Sequence, residues 1–440
     1  MTVNERRGSV GRLRALGNIE RGCWLIDQAA PMNVLAVAQV RGRLDVARVP
    51  QALQQLQCRH PLLRVCVQLD DDGAPTYFEA DAPIPFSVID RRDGSHFHQL
   101  VTDERNRPFH WDQAPLLRLS ILRGDDESDL VFTMHHLISD GASSTYMLRD
   151  LLTAISDPAV ASAWTALPLR PALEDLMPSS ERGRQGLQRS AQFLAQQAWT
   201  FFAQRPRLLL EQQAVPSSQR RSAVSHQQLS QGETRALLTA CRSHRVTLHG
   251  ALCAALLLAV GAEVREESSM PEPVLGCCTP VNLRRVLQPP IGEDLGLYVG
   301  PIVTFHRVAE GTPLSVLATE LTQQIHKARS DGVPTQALAT QSRLLPPRVS
   351  PQRAAKHLYN RLFGTVSVTN MGVLDIPLLY GDLRLSAVHI GGSNNAFGSL
   401  ISIGVTTLDG QLFLNFNYNE RIVSADRLRR VVEATLGALR

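Results

Sequence analysis

The sequence predicts an α/β protein in which strands and helices alternate and more than one core forms. Between residues 15 and 165, short apolar runs typical of buried strands alternate with segments whose apolar residues recur at helical spacing. The same alternation returns after residue 226, beyond a stretch interrupted by prolines. With 440 residues, of which 44% are hydrophobic, the chain is long enough to bury two ordinary cores.

The N-terminal unit, residues 1–165, carries the clearest strand signals. Residues 34–41 predict a strand, and residues 45–57 predict a helix because their apolar side chains repeat with the helical period. The apolar runs 116–122 and 130–134 predict two core strands. This unit therefore alternates strands with helices.

Residues 166–225 form the predicted connection between two units. Five prolines interrupt this stretch, although residues 187–202 retain a helical pattern. Boundaries between domains fall where few contacts cross. Seven arginines between residues 182 and 221 make the stretch basic. Two interpretations stay open, a solvated linker surface or a docking strip for an acidic partner protein.

The C-terminal unit, residues 226–440, repeats the mixture of elements. Residues 248–264 predict a buried helix capped by Thr247. Asp409-Gly410 predicts a hairpin, because this dipeptide favours the turn that joins two strands. The other predicted elements are helices at 234–243 and 424–439 and strands at 274–278, 299–305, 365–369, 400–407 and 411–419.

Composition argues against several classes of protein. A net charge of +4 argues against a nucleic-acid binder that neutralises phosphates. The longest apolar run, 250–262, is shorter than the ~20 residues that span a bilayer, and residues 1–14 lack the apolar core of a signal peptide. Seven scattered cysteines, an odd number, indicate reduced thiols and a cytoplasmic protein. We expect a monomer.

The most informative segment is residues 135–141, which read His-His-Leu-Ile-Ser-Asp-Gly directly after a strand signal. A strand that ends in a tight loop can hold an imidazole rigidly where substrate reaches it. Neutral imidazole, with an ordinary pKa of about 6.5, can deprotonate an acceptor as it attacks a thioester. The N–H of Gly141 can help to stabilise the oxyanion. Asp140 is expected to pair with an arginine and fix the loop, and Ser143 or Ser144 to cap the following helix.

A metal site is the alternative interpretation of the paired histidines. It needs further ligands at suitable spacing, but the sequence has no His-x-x-x-His or Cys-x-x-Cys pair. Cys277 and Cys278 are adjacent, and neighbouring strand residues point to opposite faces. We therefore expect no bound metal.

These residues resemble a known family. The motif His-His-x-x-x-Asp-Gly is similar to that of nonribosomal peptide synthetase condensation domains, polyketide-associated acyltransferases, alcohol acetyltransferases and, more distantly, chloramphenicol acetyltransferase. Residues 59–64, Arg-His-Pro-Leu-Leu-Arg, resemble the family's Arg-His-x-x-Leu-Arg element. Residues 280–284, Pro-Val-Asn-Leu-Arg, look like the segment that supplies the arginine partner of the motif aspartate. The resemblance runs from about residue 15 to 435.

The resemblance implies two chloramphenicol-acetyltransferase-like lobes with a tunnel between them. It implies that His136 is the catalytic base, that His135 is a support residue and that Asp140 is structural. It also implies that Gly141 is the small residue that keeps the tunnel open. The donor that it implies is a thioester on phosphopantetheine, carried by coenzyme A or by an acyl or peptidyl carrier protein, and the implied acceptor is a small-molecule alcohol or amine. No cofactor is expected to be bound.

Two further assignments concern residues outside the motif. Arg284 is the expected partner of Asp140, with Arg64 as the alternative, because an arginine stays charged and binds a carboxylate bidentately. Ser367 and Thr369 lie two apart on a predicted strand and share a face, so a hydroxyl there can serve the oxyanion. Asn370 is expected to line the same cleft.

The function predicted is an acyltransferase that acts in trans. The chain lacks the Asp-Phe-Gly-Trp element of many relatives, which favours the polyketide-associated and alcohol-acyltransferase branch. Asn394-Asn395 is expected to lie in a loop over the tunnel. The alternative is a non-catalytic module that recruits acyl carrier proteins. A serine hydrolase is unsupported because no Gly-x-Ser-x-Gly element is present.

Overall fold

The computed structural model describes residues 11–205, 215–216, 219–268, 270–354, 365–393, 399 and 401–440. The described strands form two six-stranded sheets and one three-stranded sheet, and helices pack against the larger sheets. The predicted α/β class is therefore confirmed. The predicted loop at Asn394-Asn395 lies outside the described residues.

The elements are named here in chain order. The strands are β1 (Gly11–Ala15), β2 (Asn33–Arg41), β3 (Val65–Leu69), β4 (Pro75–Glu79), β5 (Phe86–Asp90), β6 (Leu117–Arg123), β7 (Glu127–His135), β8 (Ser222–Leu229), β9 (Val274–Asn282), β10 (Val299–Arg307), β11 (Val366–Val373), β12 (Leu379–Tyr380), β13 (Leu383–Gly392), β14 (Ile401–Leu408) and β15 (Gln411–Asn419). The α-helices are α1 (Asn18–Asp27), α2 (Val49–Arg59), α3 (His96–Asn106), α4 (Gly141–Ser156), α5 (Pro158–Ser162), α6 (Leu173–Leu176), α7 (Gly183–Gln204), α8 (Gln231–Ser243), α9 (Leu248–Ser268), α10 (Leu314–Ser330), α11 (Val333–Leu344) and α12 (Ala425–Leu439).

The first six-stranded sheet carries the histidine motif. Its strand order is β12-β13-β2-β7-β6-β5, in which β5 and β6 are parallel and the other pairs are antiparallel. β2 and β7 are buried along almost their whole length, because α4 covers one face of β2 and α3 covers the other. The register places Asn33 opposite His135, so the motif begins where the central strands end.

The second six-stranded sheet forms the other half, in the order β10-β9-β11-β14-β15-β8. β11 runs parallel to both β9 and β14, and β14 and β15 form the hairpin predicted at Asp409-Gly410. Asp409 adopts φ 49° and Gly410 φ 71°, the left-handed conformations that a tight hairpin turn requires. A separate small sheet has the order β1-β4-β3.

α9 is the central helix of the second half. Apolar residues occur around most of its circumference, and it is accordingly buried among α10, α12 and β11. Thr247 caps it, as predicted, by accepting a hydrogen bond from the N–H of Gly250 at 3.0 Å. Among the described residues, this one helix is long and apolar enough to cross a membrane, and 72% of its most apolar window is buried inside the protein.

Several local predictions differ from the structure at the ends of elements, and three of them concern helices near the motif or in the connection. The helix predicted at 45–57 is a 3₁₀ turn at Val46–Arg48 followed by α2, because proline occupies the second position of α2 and favours a helix start there. Asp140, not Ser143 or Ser144, caps α4, and its side chain accepts the N–H of Ser143. The helix of the connection, α7, extends the predicted 187–202 at both ends.

The chain does not keep the two larger sheets separate in sequence. β12 and β13 lie within the predicted C-terminal unit of residues 226–440, yet they complete the first sheet by pairing of β13 with β2. β13 also lies against β14 of the second sheet. Gly404 makes this approach possible, because a Cβ there would lie 2.2 Å from the carbonyl oxygen of Ile390.

Three histidines meet where the two halves join. His226 of β8 and His389 of β13 each donate from Nδ1 to the Oδ1 of Asn415, at 2.7 and 2.8 Å, and His98 of α3 lies beside His226. Burial lowers the pKa of His226 well below its usual value and that of His389 to about 4. Nearby Arg105 lowers both further. Both imidazoles are therefore neutral at pH 7.

We expect this cluster to make the fold sensitive to acid. The unfolded-state pKa of a histidine is about 6.5, so His389 leaves stability unchanged above that pH. Stability then falls as the pH drops from 6.5 toward 4, because the unfolded chain binds the proton more readily. His389→Gln should lose about 2 kcal/mol less than wild type between pH 7 and pH 5, measured by urea unfolding. The matched control is His110→Gln at an exposed histidine, and an unchanged pH dependence in His389→Gln would contradict the prediction.

Candidate active site

The motif forms a tight loop between β7 and α4. The backbone N–H of His136 donates to the carbonyl of Met32 at 2.9 Å, and the N–H of Ile138 donates to the carbonyl of His135 at 3.1 Å. These bonds satisfy the backbone where the strand ends and fix the direction of the loop. His136 is therefore held by its own backbone rather than by side-chain packing alone.

His136 is half-buried and lines a cavity. Its Nδ1 lies 2.8 Å from the carbonyl oxygen of Ser139, which can only accept, so Nδ1 carries the proton of the neutral ring. Nε2 is then the basic nitrogen. Burial lowers the pKa of His136, although the Ser139 carbonyl and Asp140 act in the opposite direction. The imidazole is consequently neutral at pH 7, in the form that a general base requires.

His135 is fully buried and supports the loop. Its Nδ1 accepts the N–H of Leu137 at 3.0 Å, and its Nε2 lies 3.3 Å from Oδ2 of Asp27 at the end of α1. Oδ1 of Asp27 accepts the N–H of Met32 at 2.8 Å. His135 thus connects α1 to the motif and faces away from the cavity lining.

Asp140 has three donors on its carboxylate. Oδ1 accepts the N–H of Ser143 at 2.8 Å, and Oδ2 accepts Nη1 of Arg284 at 2.7 Å and the N–H of Tyr298 at 3.0 Å. Burial acts to raise the pKa of Asp140, but Arg284 and these N–H groups outweigh it and leave the pKa below its usual value. The carboxylate is ionised and accepts hydrogen bonds on both oxygens, which fits a structural role.

Arg284, rather than Arg64, is the partner of Asp140. It is buried, and its Nη2 donates to Ser143 Oγ at 2.9 Å and to the Asp294 carbonyl at 3.2 Å. Burial acts to lower the pKa of Arg284, but Asp140 outweighs this and raises it. Arg64 instead places Nε 3.1 Å from Glu79 Oε1 in the small sheet.

The cavity lies between the two halves and measures about 220 Å³. From the first half it is lined by α1, by β2 and β13 at their ends, and by the motif. From the second half β9, β10, β11, β14, β15 and α11 contribute. Its walls are mainly apolar with a few hydroxyl and amide groups, as in small-molecule sites.

β11 brings two of the three predicted hydroxyl and amide residues to the cavity. Ser367 and Thr369 line it together with Met371, since alternate residues of a strand share a face. Asn370 is not among the described lining residues, so the expectation that it lines the cleft is wrong. It lies on the other face of β11, and its Oδ1 accepts the N–H of Gly372 at 2.8 Å.

Several residues of the site were not found from the sequence. Met371 lies against Gly141, where a Cβ would come 2.5 Å from Met371 Sδ, so glycine is required for this contact. Tyr298 supplies a backbone donor to Asp140. Gly391 and Gly404 line the cavity where the sheets approach. A glycine inside a strand is a signal for such an approach and was available in the sequence.

The described residues contain no group of three or more His, Cys, Asp or Glu side chains placed to hold a metal ion. The residues that line the cavity include a neutral imidazole, that of His136, in mainly apolar surroundings. A base of this kind can take a proton from a hydroxyl or amine held within hydrogen-bond reach.

Fold and motif together define a class, an α/β protein with a histidine loop facing a cavity between two sheets. A family model described as Condensation domain matches residues 17–356. Because the match covers most of the chain, the protein belongs to the condensation-domain family. Surfactin synthase subunit 1 of Bacillus subtilis (strain 168) is 33% identical over 128 residues, which are 29% of this chain and 4% of that protein. The chain thus spans a small part of this relative's length.

Two solved structures share the fold over nearly the whole chain. Polyketide synthase associated protein 5 from Mycobacterium tuberculosis has a TM-score of 0.69 and 18% identity, covering 98% of this chain and 99% of that one. TRI3 trichothecene 15-O-acetyltransferase from Fusarium sporotrichioides has a TM-score of 0.71 and 13% identity, covering 100% and 98%. At these identities the similarity concerns the fold.

We expect Asp140→Ala to destabilise the protein, because it leaves the buried charge of Arg284 without its partner. The expected loss of unfolding free energy is about 3 to 5 kcal/mol, measured by urea unfolding at pH 7. Arg64→Ala is the control, since its pair with Glu79 is partly exposed and should cost less than about 1 kcal/mol. Equal stability of Asp140→Ala and wild type would show that the ion pair does not hold the loop.

Gly141→Ala should narrow the cavity without unfolding the protein. The added methyl group meets the flexible end of Met371, which can rotate toward the cavity. The expected loss of unfolding free energy is about 1 to 3 kcal/mol, and the acyl transfer proposed below should slow, as measured by thiol release. The double variant Gly141→Ala/Met371→Ala should recover turnover, and failure to recover it would place the effect elsewhere.

Proposed function

We propose that the protein is an acyltransferase that moves an acyl group from a thioester to a hydroxyl or amine. The observation that supports this most is the 2.8 Å contact between Nδ1 of His136 and the Ser139 carbonyl oxygen, which assigns the proton to Nδ1 and makes Nε2 the basic nitrogen of a residue that lines the cavity. Membership of the condensation-domain family agrees with this class of reaction. The likeness to TRI3, which is titled an acetyltransferase, points the same way.

The reaction follows from this geometry in two steps. Nε2 of His136 takes the proton of the acceptor O–H or N–H as the acceptor attacks the thioester carbonyl carbon. The resulting oxyanion is stabilised by donors that line the cavity, for which Ser367, Thr369 and the N–H of Gly141 are candidates. When the intermediate collapses, the C–S bond breaks and the thiolate takes the proton from Nε2. No covalent bond to the protein forms.

The donor in this proposal is a thioester of phosphopantetheine, on a carrier protein or on coenzyme A, and the acceptor is a small alcohol or amine. Exposed arginines at the two ends of α7, Arg184 in its first turn and Arg205 just after its last residue, are candidate contacts for an acidic carrier protein. Free thiols at all seven cysteines fit a reducing, cytoplasmic compartment. No separate cofactor is needed for these steps.

The first test is thiol release from a panel of acyl-coenzyme A and acyl-carrier thioesters with pooled alcohol and amine acceptors. We expect acceptor-dependent release that falls by roughly 10²–10⁴-fold in His136→Ala, the usual worth of acid–base catalysis. His110→Ala, at an exposed histidine, is the control. A folded and fully active His136→Ala would overturn the proposal. Tight carrier-protein binding without release from any donor would favour the non-catalytic recruitment module.

The pH dependence of kcat/KM provides a second readout of the same prediction. Burial lowers the pKa of His136, so the basic form persists below pH 6.5 and activity should stay constant there before it falls at lower pH. A half-maximal rate well above pH 7 would mean that another group is the base.

A further inference from the structure

Arg105, near the end of α3, is a buried arginine without a carboxylate partner among the described residues. It is 2% exposed, and its Nη1 donates to the Gly392 carbonyl at 2.7 Å. Nε is buried without an acceptor, and no hydrogen bond from Nη2 occurs in the described part of the chain. Nε and Nη2 form one edge of the guanidinium, whose two parallel N–H groups match the geometry of a carboxylate.

The surroundings of Arg105 do not compensate its charge. Burial lowers its pKa to about 10, so it remains protonated at pH 7. The neighbouring carboxylate, Glu104, is bound by Arg118, Ser120 and Thr133. The nearby His226 and His389 are neutral because burial lowers their pKa values. A buried cation without a counter-ion is costly, which makes an anionic ligand the natural partner.

The guanidinium adjoins the cavity at Gly391, although Arg105 itself is not among the described lining residues. A Cβ on this residue would lie 2.9 Å from Arg105 Nη2 and 2.9 Å from Asn417 Oδ1, so any larger residue would fill the space between them. Gly391 and Asn417 both line the cavity beside His136. Asn417 Oδ1 is also buried without a donor among the described residues. Arg105 Nη2 and Asn417 Oδ1, neither of which has a hydrogen-bond partner among the described residues, therefore lie on either side of the same small space beside Gly391.

The described lining residues leave no unpaired charge for a ligand. The described lining residues include no lysine, arginine or glutamate. Asp140 is paired with Arg284 and also accepts two backbone N–H groups. Burial raises the pKa of Cys23 and Cys278 to about 12, so both thiols are neutral. A ligand ammonium would have no partner here, whereas a ligand carboxylate would have Arg105.

We propose that Arg105 and Asn417 form a subsite for a carboxylate carried by one of the two substrates. The Nε–Nη2 edge of Arg105 binds the carboxylate, and Asn417 Oδ1 accepts from an adjacent O–H or N–H group of the same molecule. This inference rests on the proposed function. The carboxylate belongs either to the acyl chain of the donor or to the acceptor, and the experiment has an arm for each.

The test measures binding to His136→Ala by calorimetry, so that turnover does not interfere. The donor arm compares the adipoyl, hexanoyl and 6-aminohexanoyl thioesters of N-acetylcysteamine, and the acceptor arm compares 6-hydroxyhexanoate with 1-hexanol. We expect the carboxylate probe of one arm to bind at least about 10-fold more tightly than its neutral counterpart. Adding Arg105→Gln should abolish this preference, while Arg107→Gln, at an exposed arginine on the same segment, should keep it.

Protein stability separates a binding role from a structural one. Because Arg105 has no anionic partner, Arg105→Gln should melt at or above the wild-type temperature. A lower melting temperature together with an unchanged carboxylate preference would overturn the subsite. Equal binding of charged and neutral probes in both arms would also overturn it, whatever the variants do. If the carboxylate probe binds more tightly than its neutral counterpart but the wild type releases no thiol from any donor, the subsite stands and the proposed acyl transfer is wrong.

Discussion

The ion pair between Asp140 and Arg284 is the constraint on which the site depends. It joins the start of α4 to the segment between β9 and β10, so it links the two halves directly at the cavity. Asp140 also caps α4 and accepts the N–H of Tyr298, so one carboxylate sets a helix start, a loop and a neighbouring strand. The position of His136 relative to the second half follows from this carboxylate. A charged pair is suited to the task because removing either partner leaves an unpaired buried ion.

Much of the first half and the motif could be predicted because their signals are local. The apolar runs around β2 and β7, the caps at Thr247 and the turn at Asp409-Gly410 depend on neighbouring residues and appear where expected. Arg284 could be predicted as the partner of Asp140, although it lies 144 residues away, because residues 280–284 resemble a family segment. The prediction for Asn370 was wrong because its side chain accepts a hydrogen bond from the N–H of Gly372, in the turn that follows.

What the sequence did not reveal depends on contacts between distant segments. Arg105 lies in a helix whose polar sequence predicts a solvent-exposed surface. It is buried in the folded protein, where it contacts Gly392 at the end of β13. His226 and His389 gave no signal at all, yet one amide oxygen of Asn415 holds both imidazoles across the junction. Met371 meets Gly141 only because β11 passes beside α4. Such contacts are set by topology, which local patterns do not encode.

The return of β13 into the first sheet has a consequence for how such chains can be recombined. The first half, taken alone to the end of the connection, would expose the edge of β2 with its backbone N–H and C=O groups unpaired, a surface that promotes aggregation. The second half alone would carry an apolar ribbon with no sheet to join. Exchanging halves between relatives at one crossover point would therefore pair the first large sheet of each chimera with foreign strands. A graft that respects the fold needs a second junction, so that residues 379–392 travel with the N-terminal segment.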